Sequence, residues 1–127
     1  MVLILVSNLA EEHLKERGVW DLCVATAKHH TLKVVGGQEL FSEIAEAQKA
    51  IVVVKATQHF GPFLESVKKI TKPDAQVVVF GVGDVVVGGA YISEGTVVSP
   101  AQLPQMLADA IAKLSASESE VQVPPPP

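Results

Sequence analysis

Four short apolar runs, Val2–Val6, Leu32–Val35, Ile51–Val54 and Gln76–Phe80, are separated by three stretches that each have room for a helix. The runs are apolar at successive positions and not only at alternate ones. That is how a strand reads when helices cover both faces of a parallel sheet. The expected fold is therefore α/β, a three-layer Rossmann-like arrangement with a mostly parallel βαβαβαβ sheet. In the first intervening stretch Val19, Leu22, Cys23, Thr26 and His30 fall near helical spacing, predicting a helix over 19–29 with a turn or short helix before it. The second predicts a helix over about 38–49, with Leu40, Phe41, Ile44, Ala45 and Gln48 inward and Glu39, Glu43 and Glu46 outward, entered through Gly36-Gly37. The third is the most regular: Phe60, Phe63, Leu64, Val67 and Ile70 share a face, Lys68, Lys69 and Lys72 suit a C-terminal end, and Pro73 stops the helix.

Past Phe80 the pattern changes. Gly81, Gly83, Gly88, Gly89 and Gly95 punctuate Val85–Val87, Ala90–Ile92 and Thr96–Val98 with spacers too short for a helix. Short strands joined by tight turns run antiparallel, so the sheet is expected to gain an antiparallel C-terminal edge. Ser99-Pro100-Ala101-Gln102 has capping-box spacing, and Leu103, Met106, Leu107, Ala110, Ile111 and Leu114 make a closing amphipathic helix. Pro104 conflicts with a regular start at Pro100, which predicts an irregular first turn. Residues 115–127 turn polar and then proline-rich, so the expected organisation is one domain over 1–114 and an extended linker or tail over 115–127.

Length and composition agree with a single core. A chain of 127 residues buries about two-thirds of its unfolded surface and needs no disulfide or metal staple. Val, Ala, Leu and Ile supply most of the 48% hydrophobic content, with only 5% aromatic. A net charge of −4 and the absence of any basic cluster beyond Lys68-Lys69 argue against a nucleic-acid partner. The lone Cys23 excludes an intramolecular disulfide and fits a cytoplasmic location. Met1–Val6 is too short and lacks the basic flank of a signal peptide, and no apolar run reaches the ~20 residues of a membrane span.

A parallel α/β sheet binds ligands at the carboxyl ends of its strands, which directs attention to Asn8, Thr57, Gly81, Gly83 and Asp84 as cofactor-binding candidates should the chain bind a nucleotide or S-adenosylmethionine. None forms a strong motif. The first strand runs into Ser7-Asn8-Leu9-Ala10-Glu11-Glu12, with no glycine for a phosphate loop, and Gly81-x-Gly83-Asp84 is followed by Val85–Val87 where a helix would be needed. The expectation is therefore no bound cofactor. His29 and His30 point to different helix faces, and His13 and His59 lack partners at ligand spacing, so no metal site is expected. Cys23 reads as core filler, Trp20 and Tyr91 as half-buried aromatics, and Glu11, Glu12, Lys15, Glu16 and Arg17 as a solvated helical face. No catalytic residue stands out.

The run Phe63–Phe80, in which a helix passes through Lys72-Pro73 into a buried strand, resembles the corresponding segment of class I methyltransferases. Together with the missing glycine loop it is similar to the N-terminal, methyltransferase-like domain of the anamorsin family. The resemblance covers about a third of the chain, with Asp74-Ala75 standing where that family of methyltransferases has glycines. It implies a degenerate methyltransferase-like fold and a non-catalytic protein-binding role in cytosolic iron–sulfur cluster assembly and electron transfer. The implied partner is a diflavin reductase or another assembly component. Two alternatives stay open: an enzyme or sensor that binds a nucleotide or S-adenosylmethionine through Asn8, Thr57 and Asp84, and a flavodoxin-like small-molecule binder, against which the missing phosphate loop weighs.

Overall fold

The computed structural model describes residues 2–57, 60–83 and 95–122, with backbone alone for 95, 96 and 116–122. Along it run β1 (Leu3–Ser7), α1 (Asn8–Glu16), α2 (Trp20–Thr26), β2 (Thr31–Val35), α3 (Gln38–Glu46), β3 (Lys49–Lys55), α4 (Phe60–Ile70), β4 (Gln76–Val82), β5 (Gly95–Val98) and α5 (Leu103–Gln122). The strands lie in the order β2-β1-β3-β4-β5, and every pair is parallel. The three-layer Rossmann-like class expected from the apolar runs is the fold observed.

Successive side chains of the central strands enter two different cores, which explains their unbroken apolar runs. Ile4, Val6, Ile51, Val53, Phe80 and Val82 pack with Ala10 and Leu14 of α1, Cys23 of α2 and Leu103 and Leu107 of α5. Leu5, Val52, Val54 and Val79 pack on the opposite face with Leu40 and Ile44 of α3 and Leu64 and Val67 of α4. An alternating sheet would have left one of these sets in water.

The helix boundaries follow from identifiable end groups. Asn8–Glu16 is a full helix where only a turn or short helix was expected, because Ala10, His13 and Leu14 form a buried face that Leu14 alone does not reveal. At its end the Gly18 N–H donates to Lys15 O and the Val19 N–H to Leu14 O, with Gly18 at φ 73°, a Schellman stop that glycine adopts without strain. The expected stop of α4 before Pro73 is present at Ile70, where Thr71 Oγ1 donates to Val67 O at 2.6 Å. Pro104 is the second residue of α5, in the first turn, where its missing amide has no intrahelical acceptor to lose. The conflict with a start at Pro100 disappears because residues 100–102 form a turn and the helix begins at Leu103.

Two expectations are corrected. The C-terminal edge is parallel: Val79 to Val82 of β4 pair in the same direction with Gly95 to Val98 of β5. The twelve residues between Val82 and Gly95 are enough for the crossover that a parallel pair requires, about a dozen or more. The expected strands Val85–Val87 and Ala90–Ile92 lie outside the described residues. The second correction concerns the segment after Leu114, which continues α5 as helix to Gln122 instead of extending at once. Adding residues to an existing helix is far less costly than nucleating one, and Ala and Glu favour it. Residues 123–127 lie outside the described residues.

Candidate functional site

The strand order reverses between β1 and β3: from β1 the chain moves outward to β2, then returns to place β3 on β1's other side. Connections leaving these two strands diverge to opposite faces, opening a crevice at their carboxyl ends. The register brings Ser7 level with Val35 of β2, and Lys55 of β3 level with Val82 of β4. The residues just past these positions, Asn8, Gly36, Ala56, Thr57 and Gly83, therefore share one edge of the sheet.

No loop residue intervenes between β1 and α1. Ser7 ends the strand in an extended conformation, and its Oγ accepts a hydrogen bond from the Ala10 N–H at 3.2 Å, capping the helix that begins at Asn8. Ser7→Ala is accordingly expected to lower the unfolding free energy by about 0.5–2 kcal/mol in a urea melt. No loss would show that the hydroxyl does not hold this end. Asn8 is exposed, with its amide lying over Gly36: a Cβ on Gly36 would stand 2.5 Å from Asn8 Nδ2. The β1–β2 pairing puts these two distant residues side by side, and nothing in their sequence spacing announces it.

The other candidates have different surroundings. Gly81 is buried in β4 beneath the Phe60 ring, whose nearest carbon would lie 2.9 Å from an added Cβ, so its missing side chain makes room for the core. The Gly83 N–H donates to Val98 O at 3.0 Å and the Ala56 N–H to Val82 O at 2.8 Å, extending the β3-β4-β5 ladder past the strand ends. Both amides are thus engaged by the sheet. Thr57 is exposed, and its carbonyl accepts from the Phe60 N–H at 3.0 Å as α4 begins. Asp84 and His59 lie outside the described residues. Lys55 is exposed at the end of β3 and adds a cation that the strand-end reading overlooked, although its position as the first polar residue after Val54 marks it.

Away from this edge, His30, His13 and Cys23 serve the fold. His30 Nδ1 accepts from the Val2 N–H at 3.2 Å, joining the starts of β1 and β2, and His13 is buried on the inner face of α1. Burial pushes the Cys23 thiol up to about 11, keeping it protonated near neutrality and a poor nucleophile. Among the described residues no three His, Cys, Asp or Glu side chains gather as a metal site would require, and no helix is long and apolar enough to cross a membrane. A groove of about 880 Å³ opens at the other end of the sheet, beside the start of β4, between Leu64, Val67 and Lys68 of α4 and Lys113 of α5. It lies away from the carboxyl ends, and its polar lining consists of Lys68, Lys72 and Lys113 with Thr71 and Gln76.

The crystal structure of Fusobacterium nucleatum flavodoxin bound to flavin mononucleotide matches this chain with a TM-score of 0.54 and 13% sequence identity, covering 91% of this chain and 97% of that one. The fold is flavodoxin-like. No family model and no curated protein sequence matches the chain. The order β2-β1-β3-β4-β5 is that of flavodoxin-like sheets, whereas a dinucleotide-binding Rossmann sheet runs 3-2-1-4-5-6. This overturns the resemblance to the methyltransferase-like domain of the anamorsin family, and with it the iron–sulfur assembly and electron-transfer role that the resemblance implied. The segment that carried it, Phe63–Phe80, is the ordinary passage from α4 into β4, a helix-to-buried-strand step that any parallel α/β sheet repeats.

Proposed function

We propose that this domain binds a small organic ligand in the crevice at the carboxyl ends of β1 and β3. The observation that carries the proposal is the reversal of strand order between those strands, the place where open parallel sheets receive their ligands. Asn8 offers an amide that both donates and accepts, and the exposed Thr57 lies at the same edge. These groups suit a ligand with a polar heteroatom edge. The flavin mononucleotide of the flavodoxin neighbour makes flavins the first class to examine, with nucleosides second.

The test is isothermal titration of the full chain with riboflavin, flavin mononucleotide, adenosine and adenosine monophosphate. At least one is expected to bind saturably. Gly36→Val, which drives a side chain into the space that Asn8 Nδ2 occupies, is expected to weaken that binding about tenfold, or 1.4 kcal/mol, while circular dichroism stays unchanged. Absence of saturable binding by all four would end the small-ligand reading for these classes. Binding that ignores Gly36→Val would place the site elsewhere.

A further inference from the structure

We infer that the ligand of this crevice carries no phosphate or other anionic group at the β1–α1 turn, so that the uncharged member of a ligand pair binds in preference to its phosphorylated form. The inference rests on the small-ligand reading above and specifies its chemistry. A phosphate held at a strand-to-helix turn needs several backbone N–H groups converging from a loop into the helix start. Here that loop has no residues, since β1 ends at Ser7 and α1 starts at Asn8. The Ala10 N–H, which a phosphate would have used, is already given to Ser7 Oγ.

Charge opposes an anion as well. Glu11 lies in the first turn of α1, where its carboxylate already complements the positive end of the helix dipole, and Glu12 follows it at the start of the second turn. Glu11 lies 3.5 Å from Lys15, one turn further along, but Glu12 is exposed, and Glu39 adds a third carboxylate in the first turn of α3 at the same edge. Lys55 is the one Lys or Arg that the described residues place at these strand ends. The cradle itself is filled: the Asn8 amide lies where a phosphate would approach Gly36. The amides of Ala56 and Gly83 are bound within the sheet. Flavin mononucleotide does not fit such a turn through its phosphate. What remains is a neutral amide beside Leu9, which is 59% exposed in the same turn, a surface suited to an uncharged ligand.

The experiment compares riboflavin with flavin mononucleotide, and adenosine with adenosine monophosphate, at physiological ionic strength. The uncharged member of the pair that binds is expected to bind about tenfold more tightly. Glu12→Lys is expected to narrow that ratio several-fold by reversing the charge of the exposed carboxylate. Equal or tighter binding of the phosphorylated member overturns the inference and leaves the small-ligand reading standing. A ratio that Glu12→Lys does not move also overturns it, because the preference would then arise away from this turn. If neither pair binds to chain shown by circular dichroism to be folded, the small-ligand reading fails and this inference fails with it.

Discussion

Leu107→Ala is expected to lower the unfolding free energy by about 2–5 kcal/mol, a large share of the 5–15 kcal/mol typical of a domain. Leu107 is 1% exposed, and its buried cluster includes Leu103, Val98 and Val82, so it secures α5 over one face of the sheet. Truncation removes the transfer energy of the lost methyl and methylene groups and leaves a cavity that a helix locked at Leu103, Ile111 and Leu114 cannot close. Urea unfolding followed by circular dichroism measures the change, with the slope expected to stay the same and the midpoint to fall. A loss below about 1 kcal/mol would mean that α5 is not docked on the sheet through this side chain.

Gly81→Val is expected to destabilise the domain by about 1–3 kcal/mol even though valine is the better strand residue. A Cβ at position 81 meets three carbons of the Phe60 ring at 2.9 to 3.2 Å, closer than carbon atoms pack, and the γ-methyl groups add further bulk. Phe60 cannot yield without cost, since its ring packs on the core shared by α3 and α4 and its amide is tied to Thr57 O. Combining Gly81→Val with Phe60→Leu should restore part of the loss, a coupling that thermal melts of the two single variants and the pair would reveal. If the effects of the two substitutions simply add, the contact between them is not what limits position 81.

How much of the candidate site can be read from the sequence depends on which residues define it. Asn8 and Thr57 are visible because each follows the end of an apolar run, and a parallel sheet binds ligands there. The meeting of Asn8 with Gly36 is not visible: it depends on the β1–β2 register, in which Ser7 lies level with Val35. Gly81 and Gly83 look alike in sequence and as parts of a glycine loop, yet one gives way to Phe60 and the other donates its amide to Val98. The assignment to a methyltransferase-like domain failed for a related reason. Helix-to-strand passages such as Phe63–Phe80 are local, whereas the families of parallel α/β sheets differ in strand order, which is not local.

By itself the sequence determined the β1, β2, β3 and β4 strands, the α4 and α5 faces, the burial of Leu40 and Ile44 in α3 though not of Gln48, which is exposed beyond its end, and the three-layer class, because hydrophobic periodicity follows from which side of an element meets the core. Only the tertiary structure decided that β5 runs parallel to β4, that the order reverses between β1 and β3, and that the Ala10 amide at the β1–α1 turn is taken by Ser7. Periodicity records that a residue is buried but not which distant strand it pairs with. Strand direction, register and the engagement of each amide are settled by contacts between residues far apart in the chain.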